Sequence, residues 1–86
     1  MYDLEVKEEA DKIFRKLKKK DSKQLEIINK KVEQIQENPH HFKPLRGDMK
    51  GSRRVHIGHS FVLTYEIDEE NKVVRLLDYA HHDDIY

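Results

Sequence analysis

Eighty-six residues, 36% apolar and 40% charged, are enough for a single domain over 1–86. Its core is modest, because so short a chain buries only about 60–65% of the surface it exposes when unfolded. The absence of Cys excludes a disulfide framework, a thiolate nucleophile and thiolate metal ligands. No apolar run approaches the roughly 18 residues that span a bilayer and no signal-peptide pattern opens the chain, so a cytoplasmic protein without a membrane partner is expected.

In chain order, Tyr2, Leu4 and Val6 alternate with Asp3, Glu5 and Lys7, which predicts a half-buried strand. Ala10, Ile13, Phe14 and Leu17 then follow helical spacing and predict a first helix over 8–20. Asp21 opens a second helix as its cap, with Gln24 placed as the partner of a capping box. Leu25, Ile28, Val32 and Ile35 form its apolar stripe, and Asn38-Pro39 ends it, since proline disfavours helical geometry in the residue before it. Pro44, Gly47 and Gly51 mark 40–52 as loop.

Three strands follow. Over 53–57, Val55 and Ile57 share one face while Arg54 and His56 share the other. Over 61–67, Phe61, Leu63, Tyr65 and Ile67 share a face, and 73–79 is continuously apolar enough for a central strand. Gly58-His59 and the stretch from Asp68 to Asn71 suit hairpin turns. Strand, helical hairpin and three-stranded antiparallel meander make an α+β domain, with helices packed on one face of the sheet and the other face open to solvent or ligand.

Net charge is zero, with 17 basic against 17 acidic residues, but the signs are segregated. Seven Lys/Arg (Lys12, Arg15, Lys16, Lys18, Lys19, Lys20 and Lys23) stand against Asp21 alone, and five (Lys43, Arg46, Lys50, Arg53 and Arg54) against Asp48 alone. Acids gather at Glu66, Asp68, Glu69 and Glu70 and at Asp78, Asp83 and Asp84. Two basic segments on a neutral chain point to an anionic partner, of which nucleic acid is the usual one, although lysines on an exposed helix are equally a solvated face.

The six histidines fall at His40-His41, at His56 and His59, and at His81-His82. Histidine titrates nearest neutral pH and is the usual proton carrier in catalysis. A meander lets the end of the last strand, with His82, approach His56 on the middle of the sheet. Cleaving RNA without a metal needs a base for the 2′-hydroxyl, an acid for the departing 5′-oxygen and a cation for the charge on the phosphorane, and two histidines with Arg/Lys supply all three. Clustered His and Asp at 81–84 also invite a metal reading, but adjacent strand residues point to opposite faces, so His81 and His82 cannot easily share one ion; no metal and no cofactor are expected. His40-His41 covers the loop. Tyr65 is expected in the core, Leu45 as a plug anchoring the loop, and Arg75 either at a phosphate or in an ion pair with Glu66.

The segment order, with Pro44-Leu45-Arg46-Gly47, Gly51-Ser52-Arg53-Arg54-Val55-His56-Ile57, Leu63-Thr64-Tyr65 and His82-Asp83-Asp84-Ile85-Tyr86, resembles the RelE/ParE toxin superfamily and, within it, the YafQ-like branch. The resemblance covers essentially the whole chain and rests on the combination of motifs. It implies a RelE-like microbial ribonuclease fold and the toxin of a type II toxin–antitoxin system. Such a toxin is a ribosome-dependent endoribonuclease acting on messenger RNA, held inactive by a RelB-like cognate antitoxin, with a heterotetramer as one form of that assembly. It implies that His56 and His82 are catalytic and that Tyr86 supports them. Lys43 stands where the branch often has His and offers positive charge in its place; Ser60 replaces an active-site Asp of the branch and cannot serve as a carboxylate base. Phe61 falls where the branch usually has Trp, so it is a candidate for base stacking, and Arg46, Lys50, Arg53 and Arg54 are candidate RNA contacts. The alternatives are a ParE-like toxin that poisons gyrase and an inactive relative that binds nucleic acid or antitoxin, because fold does not fix function.

Overall fold

A computed structural model describes residues 1–42, 51–81 and 83. The elements are β1 (Asp3–Val6), α1 (Glu8–Lys20), α2 (Ser22–Glu37), β2 (Ser52–Ile57), β3 (Phe61–Asp68) and β4 (Val73–His81). Each lies where the sequence pattern places it, the last three running slightly longer.

α1 begins with Glu8, Glu9 and Asp11 and ends with Lys18, Lys19 and Lys20, so charges of the right sign sit at both ends of its dipole. Asp21 joins the two helices: its N–H donates to the Leu17 carbonyl at 2.8 Å, and its carboxylate accepts the Gln24 N–H at 3.2 Å. The reciprocal half of the expected capping box is not made. The Asp21 N–H is already spent on α1, and the Gln24 side chain donates instead to the Tyr79 hydroxyl.

The sheet order is β1-β4-β3-β2. The predicted meander is present, with β2–β3 and β3–β4 antiparallel. The N-terminal strand joins at the far edge, parallel to β4, with Leu4 opposite Val74. Its position is held by Tyr2 N–H on the Gln36 carbonyl at 3.0 Å and by the Gln36 side chain on the Tyr2 carbonyl at 2.8 Å. Leu4, expected inside by alternation, is 42% exposed; an edge strand beside a single neighbour leaves one flank of its side chains uncovered.

The core lies between helices and sheet: Ala10, Ile28, Val32 and Ile35 against Val55, Ile57, Leu63, Tyr65, Val74, Leu76 and Tyr79. A bulge between Thr64 and Tyr65 pairs Thr64 with Asp78 but Tyr65 with Leu76, leaving Leu77 as the extra residue. The bulge switches the parity of β4, so Val74, Leu76 and Tyr79 all face the core. A strand that changes parity reads in sequence as continuously apolar. The opposite face is less open than the pattern implied. Val62 and Thr64 lie on it yet are buried, since each sits on an inner strand flanked on both sides: Val62 by His56 and Ala80, Thr64 by Arg54 and Asp78.

Gly58 turns β2 into β3 with φ +62°, and the β3–β4 turn is closed by the Asn71 N–H on the Asp68 carboxylate at 3.1 Å. Among the described residues, no helix is long and apolar enough to cross a membrane.

Candidate active site

His56 is exposed on β2, on the sheet face away from the helices, and Arg54 lies two residues earlier on the same face. Alternation along the strand puts an imidazole and a guanidinium side by side, as the sequence pattern required. Between them and β4 lie Val62 and Thr64, and beyond these Ala80 and Asp78. The face therefore reads in two rows, His56–Val62–Ala80 and Arg54–Thr64–Asp78. Asp78 adds a carboxylate to this face, two strands across the sheet from Arg54 in the same row. Sequence reasoning did not place it there, because only the bulge sets the parity that turns Asp78 to this face. Chemically, a solvent-accessible imidazole beside a guanidinium can move a proton at a bound phosphodiester and offset its negative charge.

Two other sequence-predicted contacts lie on the opposite face and do not join His56. Arg53 pairs with Tyr65 in the ladder, and its guanidinium donates to the Phe42 carbonyl and, at 3.4 Å, to the His40 carbonyl. It holds the chain leaving α2 rather than projecting beside His56. Phe61 is stacked on Tyr79, with centroids 5.2 Å apart and 5° between planes, and His81 meets it edge-on at 5.4 Å. It is half-buried against the core on the helix side. Lys43, Arg46, Lys50, His82 and Tyr86, together with Leu45, lie outside the described residues.

The segment over 39–42 is clamped from several sides. The Tyr65 hydroxyl donates to the Pro39 carbonyl at 2.6 Å; Tyr65 is fully buried, as expected, and burial pushes its hydroxyl up to about 12, against a smaller downward pull from Arg53. Phe42 meets the Tyr65 ring edge-on at 6.5 Å and lies beneath the Lys31 ammonium at 5.7 Å. His40 contacts Glu69 in the β3–β4 turn. Glu69 also takes hydrogen bonds from Tyr2 at 2.9 Å and from Lys72 at 2.9 Å. The Lys72 ammonium, then the Tyr2 hydroxyl and His40, hold the Glu69 carboxyl down at about 2. His40 thus belongs to a clasp joining the N-terminus, the turn and the segment after α2, which no local sequence signal announces.

Of the two readings open for Arg75, the ion pair is the one found. Its guanidinium contacts Glu66 at 2.8 Å and also pairs with Glu5. His81 accepts the Asp83 N–H at 3.2 Å, and no group of three or more metal-capable side chains occurs among the described residues.

These features define a class: a small α+β protein in which a helical hairpin backs a four-stranded sheet that carries an imidazole and a guanidinium on its far face. The family model described as "ParE toxin of type II toxin-antitoxin system, parDE" matches residues 2–86, and the chain belongs to this RelE/ParE family of type II toxins. A Methanocaldococcus jannaschii protein described as "Putative toxin RelE4" is 50% identical over 86 residues, covering all of this chain and 92% of its own. The toxin in the intact E. coli RelBE toxin–antitoxin complex is 30% identical, with TM-score 0.81 over 94% of this chain and 96% of that one. The YoeB/ParE toxin from Agrobacterium tumefaciens superimposes with TM-score 0.86 over 93% of this chain and 98% of its own; at 18% identity that likeness concerns the fold.

Proposed function

We propose that this toxin is an endoribonuclease that cuts messenger RNA on the ribosome by acid–base catalysis, with attack of the 2′-hydroxyl on the neighbouring phosphate. The observation that carries the reading is the exposed His56 beside Arg54 on one strand face. A module that acted by protein contact alone would have no use for a paired proton carrier and phosphate-binding cation there. His82 is the second proton carrier in this reading, with Tyr86 orienting it and Lys43, Arg46 and Lys50 adding positive charge. Because Ser60 offers no carboxylate, the two histidines divide the acid and base roles between them. An antitoxin of the RelB kind restrains the enzyme, in keeping with the relative whose structure is a toxin–antitoxin complex.

The test is cleavage of a ribosome-bound message by purified protein. The expected products carry a 2′,3′-cyclic or 3′-phosphate and a 5′-hydroxyl, and they form in the presence of chelator. Products with 5′-phosphate ends, or cleavage abolished by chelator alone, would overturn the mechanism. The family description names ParE, and the second reading is a ParE-like toxin that poisons a DNA gyrase–DNA complex. In that case the protein stabilises gyrase–DNA cleavage complexes and leaves messages intact.

A further inference from the structure

The sheet face that carries His56 and Arg54 also carries carboxylates, and they are not equivalent. Glu66 follows Thr64 onto this face by alternation, and Arg75 is its partner in the ladder. That guanidinium holds Glu66 at 2.8 Å and Asp68 at 3.5 Å, and it pairs with Glu5 as well. Glu5, Glu66 and Asp68 thus share one cation in a structural network. Asp78 lies one row nearer His56, across the buried Thr64 from Arg54, and is itself half-buried. One of its carboxylate oxygens accepts the Tyr79 N–H at 2.9 Å. Among the described residues Asp78 makes no ion pair, and a single N–H leaves both of its oxygens able to accept further.

Beside a phosphodiester, such a carboxylate repels what Arg54 attracts. Only a hydrogen-bond donor on the RNA offsets that cost, and the donors of RNA are its 2′-hydroxyls and the N–H groups of its bases. Asp78 stands two strands from Arg54, the scale on which the edge of a base stands off from its phosphate, so a base comes within its reach rather than the attacking sugar. Among the bases, guanine is the one that matches a carboxylate. Its N1–H and N2–H point the same way and meet two oxygens together. Adenine and cytosine set one donor beside an acceptor, and uracil sets one donor between two acceptors, so each turns an acceptor towards a carboxylate oxygen. A two-point bond to an ionised acceptor is strong. A site that leaves its charge unpaired with the wrong base discriminates sharply.

We propose that Asp78 is a specificity-determining residue, accepting the N1–H and N2–H of a guanine beside the phosphate held by Arg54 and His56. The proposal rests on the ribonuclease reading above and deepens it by naming the base preferred next to the cut. In this role Asp78 stays ionised and moves no proton.

The experiment measures kcat/KM on ribosome-bound messages that differ only in one base beside the cleaved phosphate: guanine, inosine or adenine. The wild type is expected to favour guanine over adenine by about tenfold or more. Inosine, which keeps N1–H and lacks the 2-amino group, should fall between them. Asp78→Asn, checked for an unaltered thermal midpoint, should bring the guanine-to-adenine ratio close to one. The inosine comparison uses the unaltered protein, so it decides the matter even if Asp78→Asn folds poorly. Equal wild-type rates with guanine and adenine overturn the proposal. So does an Asp78→Asn variant that loses the same factor with every base, which would place the carboxylate in the chemistry or in the scaffold. A wild-type protein that cuts none of the messages removes the ribonuclease reading and the role of Asp78 with it, an outcome distinct from the other two.

Discussion

His56 is exposed, so its loss should be felt in chemistry and hardly at all in folding. His56→Ala is expected to lower single-turnover cleavage by about 10²–10⁴-fold, the usual contribution of a positioned proton carrier, with an unchanged thermal midpoint. Arg54→Gln should chiefly weaken binding and flatten its salt dependence, because a lost phosphate contact releases fewer counterions. Glu69 carries a different prediction. Its carboxyl is held at about 2 in the folded protein, below the ordinary 4.5. A group with a depressed folded value stabilises above its unfolded value and loses that contribution as pH falls through its folded one. Urea midpoints of the wild type and Glu69→Gln should therefore differ at pH 7 and converge between about pH 4.5 and pH 2. A difference that persists unchanged at pH 2 would show that the charge on Glu69 is not its source. Tyr65 acts at the other extreme. With its hydroxyl raised to about 12, the stabilisation is complete below about pH 10 and is lost as pH rises through 12.

At the level of elements, two devices matter more than propensity. One is the bulge of β4. Removing Leu77 by deletion forces either Tyr79 or the pair Val74 and Leu76 to the wrong face, because a one-residue slip inverts every side chain beyond it. The deletion is expected to abolish the cooperative thermal transition, whereas Leu77→Ala keeps it; a folded deletion variant would refute the parity argument. The other device is the clamp on 39–42. Tyr65→Phe leaves the Pro39 carbonyl without its buried donor, a loss of about 1–3 kcal/mol, measurable as a shift in the urea midpoint. Arg53→Ala removes the donor to the Phe42 and His40 carbonyls, and faster amide exchange at 40–42 would register it. A direct phosphate contact by Arg53 would instead show as a reduced salt slope of RNA binding with amide exchange unchanged.

For the whole molecule, the informative quantity is the arrangement of charge rather than its sum. A chain of net charge zero has no long-range attraction to nucleic acid in general, so binding depends on the basic segments meeting their anion at close range. Ribosome affinity is accordingly expected to fall steeply between 50 and 200 mM salt, as it does when several phosphates are neutralised at once. Replacing Lys16, Lys18 and Lys19 together by Gln should lower affinity without changing the single-turnover rate at saturating ribosome. A fall in that rate at saturation would place these lysines in the chemistry. Sheet and helices share one core, so substitutions such as Ile35→Ala, costing about 2–5 kcal/mol, should lower the urea midpoint without changing the sheet face that carries His56.

The sequence by itself determined the six elements, the two faces of β2 and the helical hairpin. These follow from local periodicity, from the residues that cap and break helices, Asp21, Asn38 and Pro39, and from the turn glycine Gly58. It also placed His56 with Arg54, because two residues apart on a strand means one face. What it left undecided depends on contacts between distant residues. The parallel seat of β1 beside β4, the parity switch that turns Asp78 towards Arg54's face, and the tying of His40 to Glu69 across 29 residues have no signature at short range. Arg53 and Arg54 make the point together: adjacent and chemically identical, they go to opposite faces. Alternation alone separates them, but only the packed sheet commits Arg53 to the carbonyls after α2, because a donor turned towards the helix side must find acceptors there.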